Sequence, residues 1–200
     1  MGYFKDAFAI ILLKEETYKK VGNDKNAFKK FVLAYFISTY LTSLFWGTLI
    51  LFGIRILNLA VFNFIIKYIV ILSLFFFIFP LITLAFSLVF TFIPHVIGLA
   101  LGGKPRRYLD FFKVYNYTVP VLWPITTLFN NVLGPIYFIW DLFLLYKTYK
   151  VIHRLTPRKA GWGIAINLFL FLIVVFIGVI IIFSIGRSNP EVLEAIRNNY

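Results

Sequence analysis

Of the 200 residues, 61% are hydrophobic and only 14% are charged, and the net charge is +12. A soluble domain runs roughly 45–50% apolar and about 25% charged, so this composition excludes an ordinary soluble fold and points to lipid as the solvent. The chain contains no cysteine, which excludes disulfides, thiolate metal sites and cysteine nucleophiles.

Residues 1–30 read as a polar head with one apolar stretch. Phe4, Ala7, Phe8, Ile11 and Leu12 follow helical spacing, flanked by Lys5, Asp6, Lys14 and Glu15. The pattern predicts an amphipathic helix lying at the membrane interface, with packing on the rest of the bundle as the alternative. Gly22-Asn23-Asp24 is expected to break it. The apolar run from Ala7 to Leu13 meets Lys14, Glu15 and Glu16 with no small-residue cleavage pattern, so a cleaved signal peptide is not expected.

The first span is expected at about 31–54, long enough for a hydrocarbon core of about 30 Å. Residues 55–67, with Arg55, Asn58, Asn63 and Lys67, read as an interfacial connector. From Tyr68 to Leu101 the chain is almost unbroken apolar and would make a helix of about 51 Å. It is either one long helix bent at Pro80 and Pro94 or two short spans divided near Pro80. Gly102-Gly103-Lys104-Pro105-Arg106-Arg107 is a flexible basic break. A third span is expected at about 111–129, interrupted at Pro120 and Pro124, and Asn130-Asn131 as a short turn. The fourth span is expected at about 134–149, a basic loop at 150–161, the fifth span at about 162–185, and a polar tail at 186–200.

Charge placement chooses between the readings. With five spans and a cytoplasmic N-terminus, 16 of the 20 Lys and Arg residues fall on the inner side. With six spans only 9 do. The positive-inside tendency therefore favours five spans, with the C-terminus on the far side. The fold class expected is all-α: a polytopic transmembrane helix bundle made of a head (1–30), a five-span domain (31–185) and a tail (186–200). The basic inner face, including Lys104, Arg106, Arg107, Arg154, Arg158 and Lys159, is expected to meet anionic headgroups or partner proteins, at about 1 kcal/mol per residue near the lipid surface. Nucleic-acid binding is not expected, because these charges lie along a membrane rather than in a groove.

Of the eight acidic residues only Asp141 falls deep in a span. A carboxylate there must face the bundle interior and be paired, hydrogen-bonded or protonated. His95, after the bend at Pro94, is one candidate partner. Asn116, Tyr117, Tyr137 and Tyr146 offer further hydrogen bonds. Two readings follow: a polar pocket for a proton, an ion or a lipid headgroup, or an interhelical hydrogen bond of about 0.6 kcal/mol that is only structural. With two histidines, no thiol and no paired carboxylates within a span, neither catalysis nor a cofactor is expected. His153 lies in the inner loop, so a metal site joining it to His95 and Asp141 is not expected either. Trp162 and several tyrosines near span ends suit an interfacial aromatic belt.

Residues 94–160 resemble the core of the Yip family, the Ypt/Rab-interacting five-span membrane proteins. A histidine near the end of the long second span (His95) is followed by a Gly-Gly pair (Gly102-Gly103) and an aromatic approach to span 3, Phe111 through Tyr117. Asn116-Tyr117-Thr118-Val119-Pro120 is similar to that family's Gly-Tyr-x-x-Pro type motif, with Asn in place of Gly. Trp140 in span 4 and the loop His153-Arg154-Leu155-Thr156-Pro157-Arg158-Lys159-Ala160 also match. In order and spacing the resemblance covers about residues 30–185. It implies a five-helix membrane protein whose eukaryotic relatives work in vesicle traffic between endoplasmic reticulum and Golgi, bind prenylated Rab-type GTPases and associate with one another. Those relatives carry a longer N-terminal region with an Asp-Leu-Tyr-Gly-Pro-like motif. This chain lacks the motif, which weighs against GTPase binding. Its size is closer to the short prokaryotic members; the expected location is the cell membrane if the chain is prokaryotic and the endoplasmic reticulum or Golgi if it is eukaryotic. The resemblance assigns no role to Asp141. The function expected is a non-enzymatic organiser of membrane or partner proteins. The alternative is a small transporter, channel or lipid-handling protein built around Asp141 and His95.

Overall fold

The computed structural model describes residues 2–56, 62–128 and 130–188, and every regular element among them is helical. The head is a hairpin of α1 (Tyr3–Ile11) and α2 (Glu15–Asn23), not the single helix expected. Leu13 adopts a left-handed φ of 56°, and the amides of Leu13 and Lys14 return to the carbonyls of Ile10 and Ala9, closing the end of α1. Glycine is the usual residue for that conformation, so a leucine there gives no sequence signal. Asp6 pairs with Lys20 at 2.6 Å across the hairpin. Ala7 and Ile10 are buried inward, while Phe4, Phe8 and Leu12 form an exposed apolar stripe one turn apart. The helix is thus docked on one face and apolar on the other.

Next come α3 (Ala27–Ile56) and α4 (Phe62–Ala100). The 39-residue α4 runs unbroken through Pro80 and Pro94, a length of about 58 Å, so the chain does not divide at Pro80. It also absorbs Asn63 and Lys67 from the expected connector, of which residues 57–61 lie outside the described ones. Proline is tolerated inside such an apolar helix and marks a bend rather than an end. One turn on, Thr83 donates to the Pro80 carbonyl at 3.2 Å and meets the Tyr35 hydroxyl of α3 at 2.5 Å.

The expected third span is not one helix. It divides into α5 (Tyr108–Tyr115), a 3-10 turn (Asn116–Thr118) and α6 (Val119–Leu128). The break falls at Asn116, four residues before Pro120, because the proline ring clashes with the carbonyl of residue i−4. The Val119 amide takes that Asn116 carbonyl in the tighter 3-10 pattern. Asn130 and Asn131, expected as a turn, lie in the first turn of α7 (Asn130–Ile152), and Phe129 lies outside the described residues. Asparagine suits helix starts as well as turns, which is why the pair misleads. α8 (Pro157–Ser188) opens on a proline, the favoured first helical residue, and begins ahead of the expected Trp162. Of the expected tail, residues 189–200 lie outside the described ones.

The core gathers at one end of the molecule. Tyr18, Phe31, Phe111, Phe112, Leu144 and Tyr149 from four helices are buried there. Elsewhere the apolar side chains face outward: from Phe169 to Phe183, the large hydrophobics of α8 are exposed. Among the described residues two stretches are long and apolar enough to cross a membrane, Pro80–Ala100 and Pro157–Ser184.

Candidate functional site

The two clusters singled out by sequence are built differently. Asp141, on α7, accepts a hydrogen bond from the Tyr115 hydroxyl of α5 at 2.6 Å. Together with Tyr35, Thr83, Thr91, Asn116 and Tyr137 it lines a cavity of about 500 Å³. Asn116 is fixed there by its amide, which donates to Thr91 at 3.0 Å and to the Phe112 carbonyl at 3.1 Å. The structure thus brings Asp141, Asn116 and Tyr137 around one space.

His95 and Tyr117 are not part of it. The His95 ring packs on His153, with centroids 4.9 Å apart, and on Phe111 and Tyr108. Tyr117 turns toward the head, its ring 4.6 Å from that of Tyr3, whose hydroxyl donates to the Tyr117 carbonyl at 2.5 Å. The expected pairing of Asp141 with His95 gives way to Asp141–Tyr115. The deciding contact joins residues 26 positions apart, and no local pattern marks Tyr115.

His153, expected in an exposed basic loop, is fully buried. The loop folds back because the Lys104 amide donates to the His153 carbonyl at 2.8 Å, while His153 Nδ1 lies 3.3 Å from the Lys104 carbonyl. Gly102, at φ 82°, ends α4, and the Gly103 amide returns to the Gly98 carbonyl. A Cβ on Gly98 would stand 2.5 Å from His153 Cδ2, so the close approach of α4 to this loop requires glycine. Burial pushes the His153 imidazole down to about 4, with the Lys104 carbonyl opposing and His95 assisting.

The second cluster lies at the same end. A polar, partly open cavity of about 450 Å³ is lined by α2, α5, the end of α7 and the two loops at Arg106 and Arg154. Of the predicted surface cations, Arg106 and Arg154 line it, and Lys104, Arg107, Arg158 and Lys159 stand exposed outside its lining. Sequence reasoning missed its other walls, Glu15, Lys19, Asp110 and Lys150. Glu15 lies 3.0 Å from Lys147 and 3.6 Å from Lys150. The Lys147 hydrogen bond, then the charges of both lysines, hold its carboxyl below the usual range. Asp110 pairs with the buried Lys113 at 2.9 Å, and Lys113 also donates to the Asp24 carbonyl at 3.1 Å. Arg154 sits at a left-handed φ of 53°.

Searches of protein-family models, curated proteins and solved structures return no match to this chain.

Proposed function

We propose that this chain is a multi-pass integral membrane protein that organises membrane or partner proteins without catalysing a reaction. In this reading the bilayer is crossed five times, by α3, α4, the α5–α6 segment, α7 and α8. The head and the two basic loops then share the cytoplasmic face. The observation that carries the reading is the asymmetry of the molecule. Its polar contacts and buried core gather at the end where head, Gly102 loop and His153 loop meet, while α8 turns its large apolar side chains outward. No soluble environment suits that surface, and a protein so arranged presents an assembled basic face beside lipid. The Yip resemblance supports the same assignment.

Two experiments test it. The cysteine-free sequence makes single-cysteine labelling clean: Lys104→Cys and Arg158→Cys should label from one side of sealed vesicles and Asn131→Cys from the other. Labelling of all three from one side, or release of the chain by alkaline extraction, would overturn the topology. Cross-linking in the native membrane should recover protein partners that Arg106→Glu/Arg107→Glu loses. Partners retained by that variant would count against the organising role.

A second reading, a transporter or lipid-handling protein, draws on the cavity beside Asp141. It predicts a pH-dependent flux in liposomes that Asp141→Asn abolishes. No flux from the wild-type chain would end it.

A further inference from the structure

The polar cavity at the basic end has a charge pattern that asks for an occupant. Its walls carry four cations, Lys19, Arg106, Lys150 and Arg154, against two carboxylates, Glu15 and Asp110. Both carboxylates are already engaged: Glu15 by Lys147 and Lys150, and Asp110 by Lys113 and, at 3.5 Å, by Arg107. Arg106 and Arg154 have no carboxylate partner among the described residues. Two guanidinium groups therefore border one open cavity with their charge uncompensated. A guanidinium presents a planar fork of donors that matches phosphate oxygens two at a time.

The walls come from α2, α5, α7 and two loops, so the space exists only in the assembled fold. The loop carrying Arg154 is held by the Lys104–His153 backbone contact, and the residue itself is kept in the left-handed region. The backbone at Arg154 is thus fixed, and the side chains of Arg154 and Arg106 are exposed at the rim of the space.

We infer that this cavity is a binding site for a phosphomonoester group, held between Arg106 and Arg154. A phosphomonoester carries a charge of about −1.5 to −2 at neutral pH, close to the combined charge of the two guanidinium groups. A phosphodiester carries only about −1 and offers fewer terminal oxygens, so it leaves one guanidinium unmatched. The group can arrive on a lipid headgroup or on a soluble ligand; the chemistry at the arginines is the same. The inference refines the proposed basic membrane face by naming what that face selects.

The test uses the full chain purified in mild detergent without phosphate buffer, at about 0.15 M salt, where exposed charges are largely screened. Short-chain phosphatidic acid, the matching phosphatidylglycerol diester and inorganic pyrophosphate are titrated separately. The wild-type chain should prefer phosphatidic acid over the diester by about tenfold or more. Arg106→Gln/Arg154→Gln should abolish that preference. Arg158→Gln/Lys159→Gln, with the same loss of charge outside the cavity lining, should retain it. Pyrophosphate that competes with the same arginine dependence would mark a soluble phosphate as the source. A preference for phosphatidic acid that pyrophosphate leaves untouched would mark the lipid headgroup. Equal affinity for the two lipids, or unchanged binding by the Arg106/Arg154 variant, overturns the site. The comparison of lipids on the wild-type chain decides even where that variant does not fold. A chain that resists alkaline extraction yet shows no phosphate preference loses the site and keeps the membrane reading. A chain that is extracted loses the membrane reading, and the pyrophosphate titration still decides the site.

Discussion

The imidazole rings of His95 and His153 pack 4.9 Å apart, tilted by 37°, in the buried junction between the end of α4 and the loop after α7. His153 Nε2 finds no hydrogen-bond partner among the described residues. Its burial favours the neutral ring, with a folded pKa of about 4 against an ordinary 6.5. The unfolded chain then takes up the proton first, so stability is full above about pH 6.5 and falls as the pH drops toward about 4. Glu15 and Asp24, both lowered by lysine partners, lose their contributions only in the carboxylate range below. The thermal midpoint of the detergent-solubilised chain should therefore drop between pH 6.5 and 5, and His153→Asn should flatten that slope. A flat wild-type profile in this window would remove the argument.

The same junction makes glycine indispensable at two places. A Cβ at Gly98 or Gly103 would stand 2.5 Å or 2.8 Å from His153 atoms. Gly98→Ala and Gly103→Ala should each cost about 1–3 kcal/mol, the usual penalty of overpacking. Gly161→Ala in α8 meets nothing within 4 Å and should be neutral or stabilising by up to about 1 kcal/mol through helix propensity. Chemical denaturation of the three variants checks the ranking.

Tyr115 and Asp141 separate structural support from transport. Removing the Tyr115 hydroxyl leaves the carboxylate without its donor, a loss of about 1–3 kcal/mol. Asp141→Asn keeps an acceptor for that hydroxyl and should cost less. Thermal midpoints of Tyr115→Phe and Asp141→Asn should therefore differ in that order, whatever either variant does to a flux.

Lys113 is nearly sequestered, bonding Asp110 and the Asp24 carbonyl at once. Lys113→Met strands Asp110 against the long, exposed contact of Arg107 and should destabilise by about 3–5 kcal/mol. Asp110→Leu/Lys113→Met should recover most of that, because no unpaired charge remains. A double variant as unstable as the single one would show that the pair itself contributes net stability.

The apolar stretches of α4 and α8 were legible because composition alone determines that such segments seek lipid. The long helix through Pro80 was legible only as one of two alternatives, since proline marks a bend and a break alike. The interruption near Pro120 was placed too late along the chain, because the clash acts on the carbonyl four residues upstream. The head hairpin was hidden by Leu13, which does a glycine's work. Asp141 stood out because an acid in the middle of a long apolar stretch is rare. Its partner Tyr115, the burial of His153 and the walls Glu15 and Lys150 arise from tertiary approach, which spacing along one helix does not encode.

The hydroxyl of Tyr3 rests on the carbonyl of Tyr117, residues separated by 114 positions. During synthesis that acceptor follows the donor by a delay on the order of ten seconds at ordinary elongation rates. Through that interval α1 has no docking partner in the 3-10 turn, and its Phe4, Phe8 and Leu12 stripe stays apolar throughout. The bilayer surface can shelter the stripe while the rest of the chain is made. The clasp can close only once α5 and the 3-10 turn have been made, which ties the docking of the first helix to a segment in the middle of the chain.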